Sequence, residues 1–275
     1  MARLFALLAN RPDLSARVLE AESALINHTA APGEPLGWGA GFYQGGEVLL
    51  RRRPVDERTT LPLSSALADV RSTILLGHVR LASVGTLRTE NTHPFRHRQW
   101  LFAHTGTVAD FSTLRGRMFE SIPQFLQRNL RGDTDSELVF HLFLSFLHDA
   151  GQLDSLDVEP ATVRAALRST LALLERLSAE EGGGPFSGNI AVTNGEHVTL
   201  LHAGAPAAYR TYQGRHEIEN LLGDDSARVR IPDLDSARVH LAVADYEGAV
   251  SGFTPVEPRA ILTLTRAADP TSEPL

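Results

Sequence analysis

The amino acid at position 2 decides which chemistry the start of this chain can perform. An apolar run from Leu4 to Ala9 lies close to the initiator methionine, and a continuous apolar run ending at a turn signal is typical of a fully buried strand. Once the methionine is removed from such a strand, the new first residue can supply both a nucleophilic side chain and its own α-amine as the base. That chemistry requires Cys, Ser or Thr, whereas the sequence has Ala2. The chain also contains no cysteine, so no other thiol can replace the nucleophile.

Short polar motifs stand next to the apolar stretches, where binding groups are often found. The chain order of these motifs is Gly37-Trp38-Gly39, Gly77-His78-Val79-Arg80, Asn91-Thr92-His93-Pro94-Phe95, His104-Thr105-Gly106 and Thr134-Asp135-Ser136-Glu137. The last of them has the spacing of a capping box, in which Thr134 caps a helix and Glu137 reaches back to the amide of Thr134. We therefore expect a helix to begin immediately after Thr134.

Composition and charge exclude several classes of partner. The 275 residues have a formal net charge of -7, so the basic surface of a nucleic-acid-binding protein is absent. No apolar stretch approaches the roughly 18 residues of a membrane span. The apolar run near the N-terminus is also too short for the core of a signal peptide. We expect no nucleic-acid or membrane partner and a location in the cytoplasm.

The order of the predicted elements indicates the fold class. Strands cluster early and late in the chain, and two long helices lie between them, after Thr134 and from Pro160 onward. This order favours an α+β fold with antiparallel sheets over alternating β and α units. Asn194-Gly195 predicts a tight hairpin, and Leu14 to Ile26 predicts an amphipathic helix. We expect a single domain over residues 1–266, followed by a flexible tail from Ala267 to Leu275.

Taken together in this order, the N-terminal stretch MARLFALLAN and the motifs above resemble the class II glutamine amidotransferases, the N-terminal-nucleophile type. The resemblance is greatest to short stand-alone members, which include γ-glutamyl amidohydrolases. It covers nearly the whole chain and implies a four-layer αββα sandwich of two antiparallel sheets. The family hydrolyses the side-chain amide of glutamine through a thioester on its N-terminal cysteine, and no cofactor is expected.

The resemblance also implies a role for individual residues. Arg80 corresponds to the arginine that binds the substrate α-carboxylate, since a guanidinium matches a planar anion. Asp135 corresponds to the aspartate that accepts the α-ammonium group. The family's oxyanion hole uses an asparagine side chain and a glycine N–H, and here those positions are Thr105 and Gly106. The sites implied are catalytic positions Ala2, Thr105 and Gly106, and substrate-binding positions Arg80, Asp135, Gly37 and His78, with no metal.

Each of these residues also has a purely structural interpretation. Arg80 could form a surface ion pair, and Asp135 could simply supply the negative charge that favours a helix start. The histidines 78, 93, 97 and 104 could suggest a metal site, but they lack helical ligand spacing and a nearby carboxylate pair. Buried core histidines with satisfied hydrogen bonds are the alternative that we favour.

Two departures from the family pattern, Ala2 and Thr105, both affect chemistry and leave the binding pair intact. We therefore expect a protein without glutaminase activity. Ala2 is explained by an engineered inactive variant, by a natural pseudoenzyme that binds glutamine or a γ-glutamyl compound, or by a decayed domain kept for protein contacts. The second change at Thr105 favours the natural pseudoenzyme. The expected partners are glutamine or a γ-glutamyl small molecule, and a partner synthase is a further candidate.

Overall fold

The computed structural model describes residues 2–26, 37–54, 63–80, 88–223, 233–248 and 250–275, and these form two antiparallel sheets with helices on both outer sides. The strands are β1 (Arg3–Ala9), β2 (Gly37–Gln44), β3 (Glu47–Arg53), β4 (Ile74–Arg80), β5 (Phe95–His97), β6 (Trp100–Gly106), β7 (Gly188–Thr193), β8 (His197–His202), β9 (Ala207–Gln213), β10 (Arg238–Ala244), β11 (Thr254–Pro255), β12 (Ala260–Thr265) and β13 (Thr271–Pro274). The helices are α1 (Ser15–Ala21), α2 (Ser23–Ile26), α3 (Leu63–Ala66), α4 (Phe111–Glu120), α5 (Gln124–Gln127), α6 (Asp135–Asp149), α7 (Pro160–Glu180) and α8 (Gly214–Leu222).

The first sheet has the strand order β11-β9-β10-β1-β4-β2-β3, so β1 lies at its centre. Every residue of β1 is buried. The second sheet has the order β13-β12-β8-β7-β6-β5. In both sheets neighbouring strands run antiparallel, which confirms the predicted α+β class.

Three apolar layers separate the sheets and helices. Alternate residues of β1 face opposite ways, as the twofold period of a strand requires. Leu4 and Ala6 pack between the sheets against Leu101 and Ala103 of β6. Phe5 packs on the outer face of the first sheet with α1, α2, α3 and α8, while the second sheet is covered by α4 to α7. The result is the helix–sheet–sheet–helix order that the resemblance implies.

The structure refines several predicted elements. The helix predicted over Leu14 to Ile26 is divided into α1 and α2. The predicted hairpin at Asn194-Gly195 joins β7 and β8, where the Asn194 side chain accepts a bond from the Glu196 N–H. No helix in the described ranges is long and apolar enough to cross a membrane.

The end of the chain differs from the expected flexible tail. Residues Thr271–Pro274 form β13, which pairs along β12 instead of fraying. Arg168 of α7 donates to the backbone oxygen of Pro274, and the Leu275 N–H donates to the oxygen of Arg259. A sheet edge offers unpaired backbone groups to any nearby segment, and the tail sequence alone does not reveal that it lies there.

The glycines of β2 allow other parts of the chain to approach closely. A Cβ atom at Gly39 would lie 1.9 Å from the backbone oxygen of His93, and one at Gly41 would lie 2.8 Å from the Leu101 side chain. Gly39 therefore leaves room for the His93 backbone against the first sheet, and Gly41 leaves room for the Leu101 side chain of the second sheet.

Gly39→Ala should lower the free energy of unfolding by about 1–3 kcal/mol, because a methyl group there overlaps a backbone oxygen that cannot move independently. Gly116→Ala is the matched control, since a Cβ in α4 meets no atom within 4 Å. The control should raise the free energy by about 0.5–1 kcal/mol, because alanine favours a helix. Urea unfolding measures both changes, and equal stabilities of the two variants would contradict the packing described.

Candidate functional site

A cavity of about 190 Å³ lies where the ends of β1, β4 and β6 meet the start of α6. It brings together most of the residues that the sequence predicts for the site. Its lining residues are Ala2, His78, Arg80, Asn91, His93, His104, Thr105, Gly106, Thr107, Thr134, Asp135, Ser136 and Asp245.

The strand register explains why Ala2 and Arg80 are neighbours. In the pairing of β1 with β4, Arg3 lies opposite Val79 and Leu4 opposite His78. The same register continued by one residue brings Ala2 opposite Arg80, at the end of the sheet where the cavity lies. Because a slip of one residue would turn the Leu4 face of β1 away from the inner core, burial of β1 fixes this register.

Asp135 is fixed at the first turn of α6 by backbone groups. One carboxylate oxygen accepts a hydrogen bond from the Val108 N–H at 2.8 Å, and the other accepts from the Ser136 N–H at 2.9 Å. The Asp135 side chain is buried and lines the cavity. Its carboxylate is therefore oriented before any ligand binds, and Oδ2, which accepts the Val108 N–H, can accept one further bond.

The cap of α6 differs in part from the predicted capping box. The Thr134 hydroxyl accepts from the Glu137 N–H at 3.3 Å, as predicted. Glu137, however, accepts from the N–H groups of Arg131 and Gly132, at 2.8 and 2.7 Å. The loop preceding the helix folds back over the Glu137 carboxylate and supplies these donors, so the reciprocal bond to Thr134 is replaced.

Arg80 supplies the positive charge of the cavity. Burial lowers the pKa of Arg80, while the nearby carboxylates of Asp133 and Asp135 raise it. With only 4% of its surface exposed, Arg80 is not the surface ion pair of the structural alternative. A cationic group and a carboxylate thus face one small cavity, an arrangement suited to a zwitterion.

A short hydrogen-bond chain connects β6 to α6. His104 Nδ1 lies 2.9 Å from the Ser136 hydroxyl, and that hydroxyl donates to Asp135 at 3.4 Å. If the hydroxyl hydrogen is directed to the carboxylate, His104 must carry its proton on Nδ1. The chain fixes the orientation of both the imidazole and the carboxylate at the cavity wall.

Thr105 and Gly106 occupy the end of β6 beside the cavity. The Thr105 hydroxyl is buried and forms no hydrogen bond with the described part of the protein. Gly106 has φ of +102°, and a Cβ there would lie 2.5 Å from the Ser187 oxygen, so this position requires glycine.

The histidines of the site are buried core residues, but their hydrogen bonds are not satisfied as we expected. Within the described ranges, both ring nitrogens of His78 and His93 and Nε2 of His104 form no hydrogen bond of normal geometry. The rings of His78 and His93 lie 4.3 Å apart. Burial lowers the pKa of His78 to about 3, aided by His104 and Arg80 and opposed by a contact with the His104 backbone.

Neutral imidazoles therefore form one wall of the cavity. Burial, aided by the neighbouring His78, His104 and the guanidinium groups of Arg80 and Arg52, also lowers the pKa of His93 well below its ordinary value. For His104, burial lowers the pKa and the carboxylates of Asp135 and Asp245 oppose the shift. Over the described residues, no group of three or more His, Asp or Glu side chains has an arrangement that could hold a metal ion.

The cavity includes residues that the sequence analysis did not single out and lacks one that it did. Gly37 pairs with Arg80 across β2 and β4 but is not among the residues that line the cavity. Thr107 and Asp245, which were not singled out, line it, and so does Asn91, which belongs to a quoted motif but was assigned no role. Asp245 follows the apolar strand β10 directly, so the rule that polar residues beyond strand ends form binding sites would have found it.

Comparison with known proteins gives a consistent result. The family model for class II glutamine amidotransferases matches residues 1–246. An uncharacterized protein of Methanocaldococcus jannaschii is 28% identical over 207 residues, covering 73% of this chain and 50% of that protein. A protein of Saccharomyces cerevisiae named as a probable glutamine amidotransferase is 26% identical over 179 residues, covering 60% of this chain and 50% of its own. The chain thus spans about half the length of these two relatives.

Among solved structures, a glutamine aminotransferase class-II domain protein from Silicibacter pomeroyi superposes with a TM-score of 0.62 at 21% identity. The match covers 99% of both chains. At this identity the likeness shows the fold, and it agrees with the two-sheet architecture described above.

Burial of the neutral histidines should lower the free energy of unfolding at acidic pH. His78 has a folded pKa of about 3 and an ordinary pKa of 6.5, so between these values the unfolded chain binds a proton that the folded chain does not. Its contribution to stability is complete above about pH 6.5 and is lost as the pH falls, by about 1.4 kcal/mol per pH unit.

His78→Gln should therefore reduce the loss of unfolding free energy between pH 7 and pH 5 by about 2 kcal/mol. Urea unfolding of each protein at both pH values measures the loss within one variant, so a uniform destabilisation by the substitution cancels. His216→Gln, which removes an exposed imidazole of α8, is the control for the loss of an imidazole as such. An unchanged loss in His78→Gln would show that His78 is protonated in the folded protein.

Proposed function

Because the chain belongs to the class II glutamine amidotransferases, we propose that it binds glutamine or a γ-glutamyl compound and does not hydrolyse it. One observation supports this proposal above all. The same cavity contains Arg80 and Asp135, which suit an α-amino acid, and Ala2, which offers only a methyl group.

The binding half of the proposal depends on complementary charge. Arg80 would bind the α-carboxylate of the ligand, and the oriented carboxylate of Asp135 would accept its α-ammonium group. A cavity of about 190 Å³ is smaller than the roughly 300–1,000 Å³ typical of pockets for drug-sized ligands, so it suits a small amino acid. The neutral imidazoles and the Thr105 hydroxyl would offer uncharged polar contacts to the side chain of the ligand.

The missing chemistry concerns the other end of the ligand. A methyl group at Ala2 cannot attack a carbonyl, and loss of a nucleophile leaves about 10³–10⁴-fold over the uncatalysed rate in well-studied hydrolases. Thr105 replaces the family's asparagine, and its hydroxyl is shorter and directed differently. Loss of an oxyanion-hole donor costs about 10²–10³ in rate.

An interaction module is the competing function. In that case the fold is kept for protein contacts, and the cavity no longer binds an amino acid. A partner synthase would be one such contact. That partner and a cytoplasmic location stay predictions.

Glutamine should bind with heat detectable by calorimetry, and Arg80→Gln should weaken this binding. Loss of a charge-assisted bond removes about 1.5–3 kcal/mol, which is roughly a 10- to 150-fold increase in Kd. The same substitution should scarcely affect 4-aminobutanamide, which lacks the α-carboxylate. Arg176→Gln, which removes an exposed charge on α7, is the matched control and should bind glutamine like the unaltered protein.

If neither glutamine nor γ-glutamyl amides bind at about 10 mM, a concentration well above ordinary substrate levels, the result would favour the interaction module. Asp135→Asn gives an independent check, because it should weaken the binding of glutamine but not the binding of glutaramate, which lacks the ammonium group. Thermal unfolding confirms that each variant is folded.

Repair of the site should restore activity in two steps. The unaltered protein should release no glutamate from glutamine, since it has no thiol. Ala2→Cys should give slow hydrolysis, and adding Thr105→Asn should raise the rate by up to about 10²–10³. Intact mass establishes that the variant has lost its initiator methionine and begins with the introduced cysteine, as the α-amine must be free.

Ala2→Ser and a Thr105→Asn single variant serve as controls for the repair. The Thr105→Asn variant should stay inactive, because it adds a hydrogen-bond donor without a nucleophile. A double variant that folds, begins with the introduced cysteine, binds glutamine and still releases no glutamate would mean that other positions also disable the site.

A further inference from the structure

A second cavity, of about 250 Å³, also borders the first half of α6, through Glu137, Phe140 and His141, and shares no lining residue with the first. It is formed where the edge strand of each sheet, β3 and β5, approaches α6. Phe95 and Phe140 give it an apolar base, and Arg52, Arg96 and Arg131 line it. The function proposed for the first cavity does not involve the second cavity.

Two of these arginines join the edges of the sheets and keep most of their donors unused. Arg52 donates through Nη1 to the Thr92 oxygen at 3.2 Å, and Arg96 donates through Nη1 to the Val48 oxygen at 2.8 Å. Arg96 donates a further bond through Nε to the oxygen of Arg98. A guanidinium has five N–H donors, so each of these two still has at least three for another acceptor.

Within the described ranges, none of the three arginines lies at ion-pair distance from a carboxylate. In contrast, Arg51, the neighbour of Arg52 on β3, pairs with Asp69 at 2.5 Å. The side chain of Arg131 is exposed, and its backbone N–H donates to Glu137. The cavity thus collects three guanidinium groups whose positive charge is not neutralised by direct contact.

Two acidic residues, Glu90 and Glu137, also line the cavity and attract Arg52 without lying at ion-pair distance from it. Glu137 is buried, and its two oxygens accept the Arg131 and Gly132 N–H groups, so they are already hydrogen-bonded within the protein. Burial raises the pKa of Glu137, and these two hydrogen bonds oppose the shift. Glu90 lies exposed at the surface end of the cavity.

His141 supplies an independent indication that the cavity accommodates a polar ligand. Its side chain is 4% exposed and lines the cavity. Its Nδ1 lies 2.8 Å from the Glu137 backbone oxygen, which requires the proton on Nδ1. Nε2 is buried and has no hydrogen-bond partner in the described protein, so it can accept a bond from a ligand hydroxyl.

We propose that this second cavity binds the phosphate or carboxylate group of a small organic anion through Arg52, Arg96 and Arg131. The planar guanidinium groups suit either anion. The aromatic base beneath them suits an apolar portion of the ligand. A hydrogen phosphate or a ligand hydroxyl would donate to His141.

Titration calorimetry with phenyl phosphate and benzoate at constant ionic strength tests the proposal, with benzyl alcohol as the uncharged probe. We expect one or both anions to bind with Kd of about 1 mM or lower, and benzyl alcohol not to bind. The probe that binds more tightly shows whether the cavity prefers a phosphate or a carboxylate group. Arg131→Gln should raise Kd about fivefold or more, and Arg176→Gln, which removes the same charge from α7, less than about twofold.

Arg96→Gln is the second variant, should Arg131→Gln lower the melting temperature enough to complicate the titration. Excess glutamine should not displace the anion, because the two ligands occupy different cavities. No binding of either anion at about 10 mM, equal weakening by Arg131→Gln and Arg176→Gln, or displacement by glutamine would each overturn the proposal. Since the probes are titrated directly, a failure of glutamine to bind leaves this test unaffected.

Discussion

Burial of β1 on both faces is the constraint on which the rest of the structure depends. One face of the strand packs between the sheets and the other packs under the helices, while β4 and β10 bond to its two edges. A strand fixed on four sides cannot shift its register without exposing apolar side chains. The position of Ala2 next to Arg80 is therefore a consequence of core packing rather than of contacts within the cavity.

This dependence means that the residue at position 2 can change without changing the shape of the site. The side chain at position 2 projects from the end of a strand whose burial begins at Arg3, so a smaller residue there costs the core nothing. Asp135, in contrast, accepts two backbone N–H groups and bonds to Ser136, which itself contacts His104. Replacing Asp135 would leave buried donors unsatisfied, at about 1–3 kcal/mol each. Asp135 is thus required by the fold as well as suited to a ligand.

The sequence predicts the fold class and the two long helices, because these depend on periodic apolar patterns. Most of the residues that line the cavity follow instead from the family resemblance carried by the motifs. The sequence does not predict the β13 edge, the donors to Glu137 or the second cavity. Each of these depends on segments distant in the chain, such as Arg96 reaching Val48. The unsatisfied histidines were also missed, because a sequence shows that a residue is polar but not whether a partner lies within reach.

The surroundings of Arg80 distinguish a ligand-binding role from a purely structural role more clearly than those of Asp135 do. A buried ion that serves only the fold is often replaceable by an apolar side chain at little cost, since desolvation cancels much of the attraction. An interaction module would gain by filling the space around Arg80 with such side chains, as the core beside β1 is filled. Instead Arg80 borders a cavity together with neutral imidazoles and the Thr105 hydroxyl, which has no hydrogen-bond partner among the described residues. Polar groups left without protein partners around an open space are most simply explained by a ligand that supplies those partners.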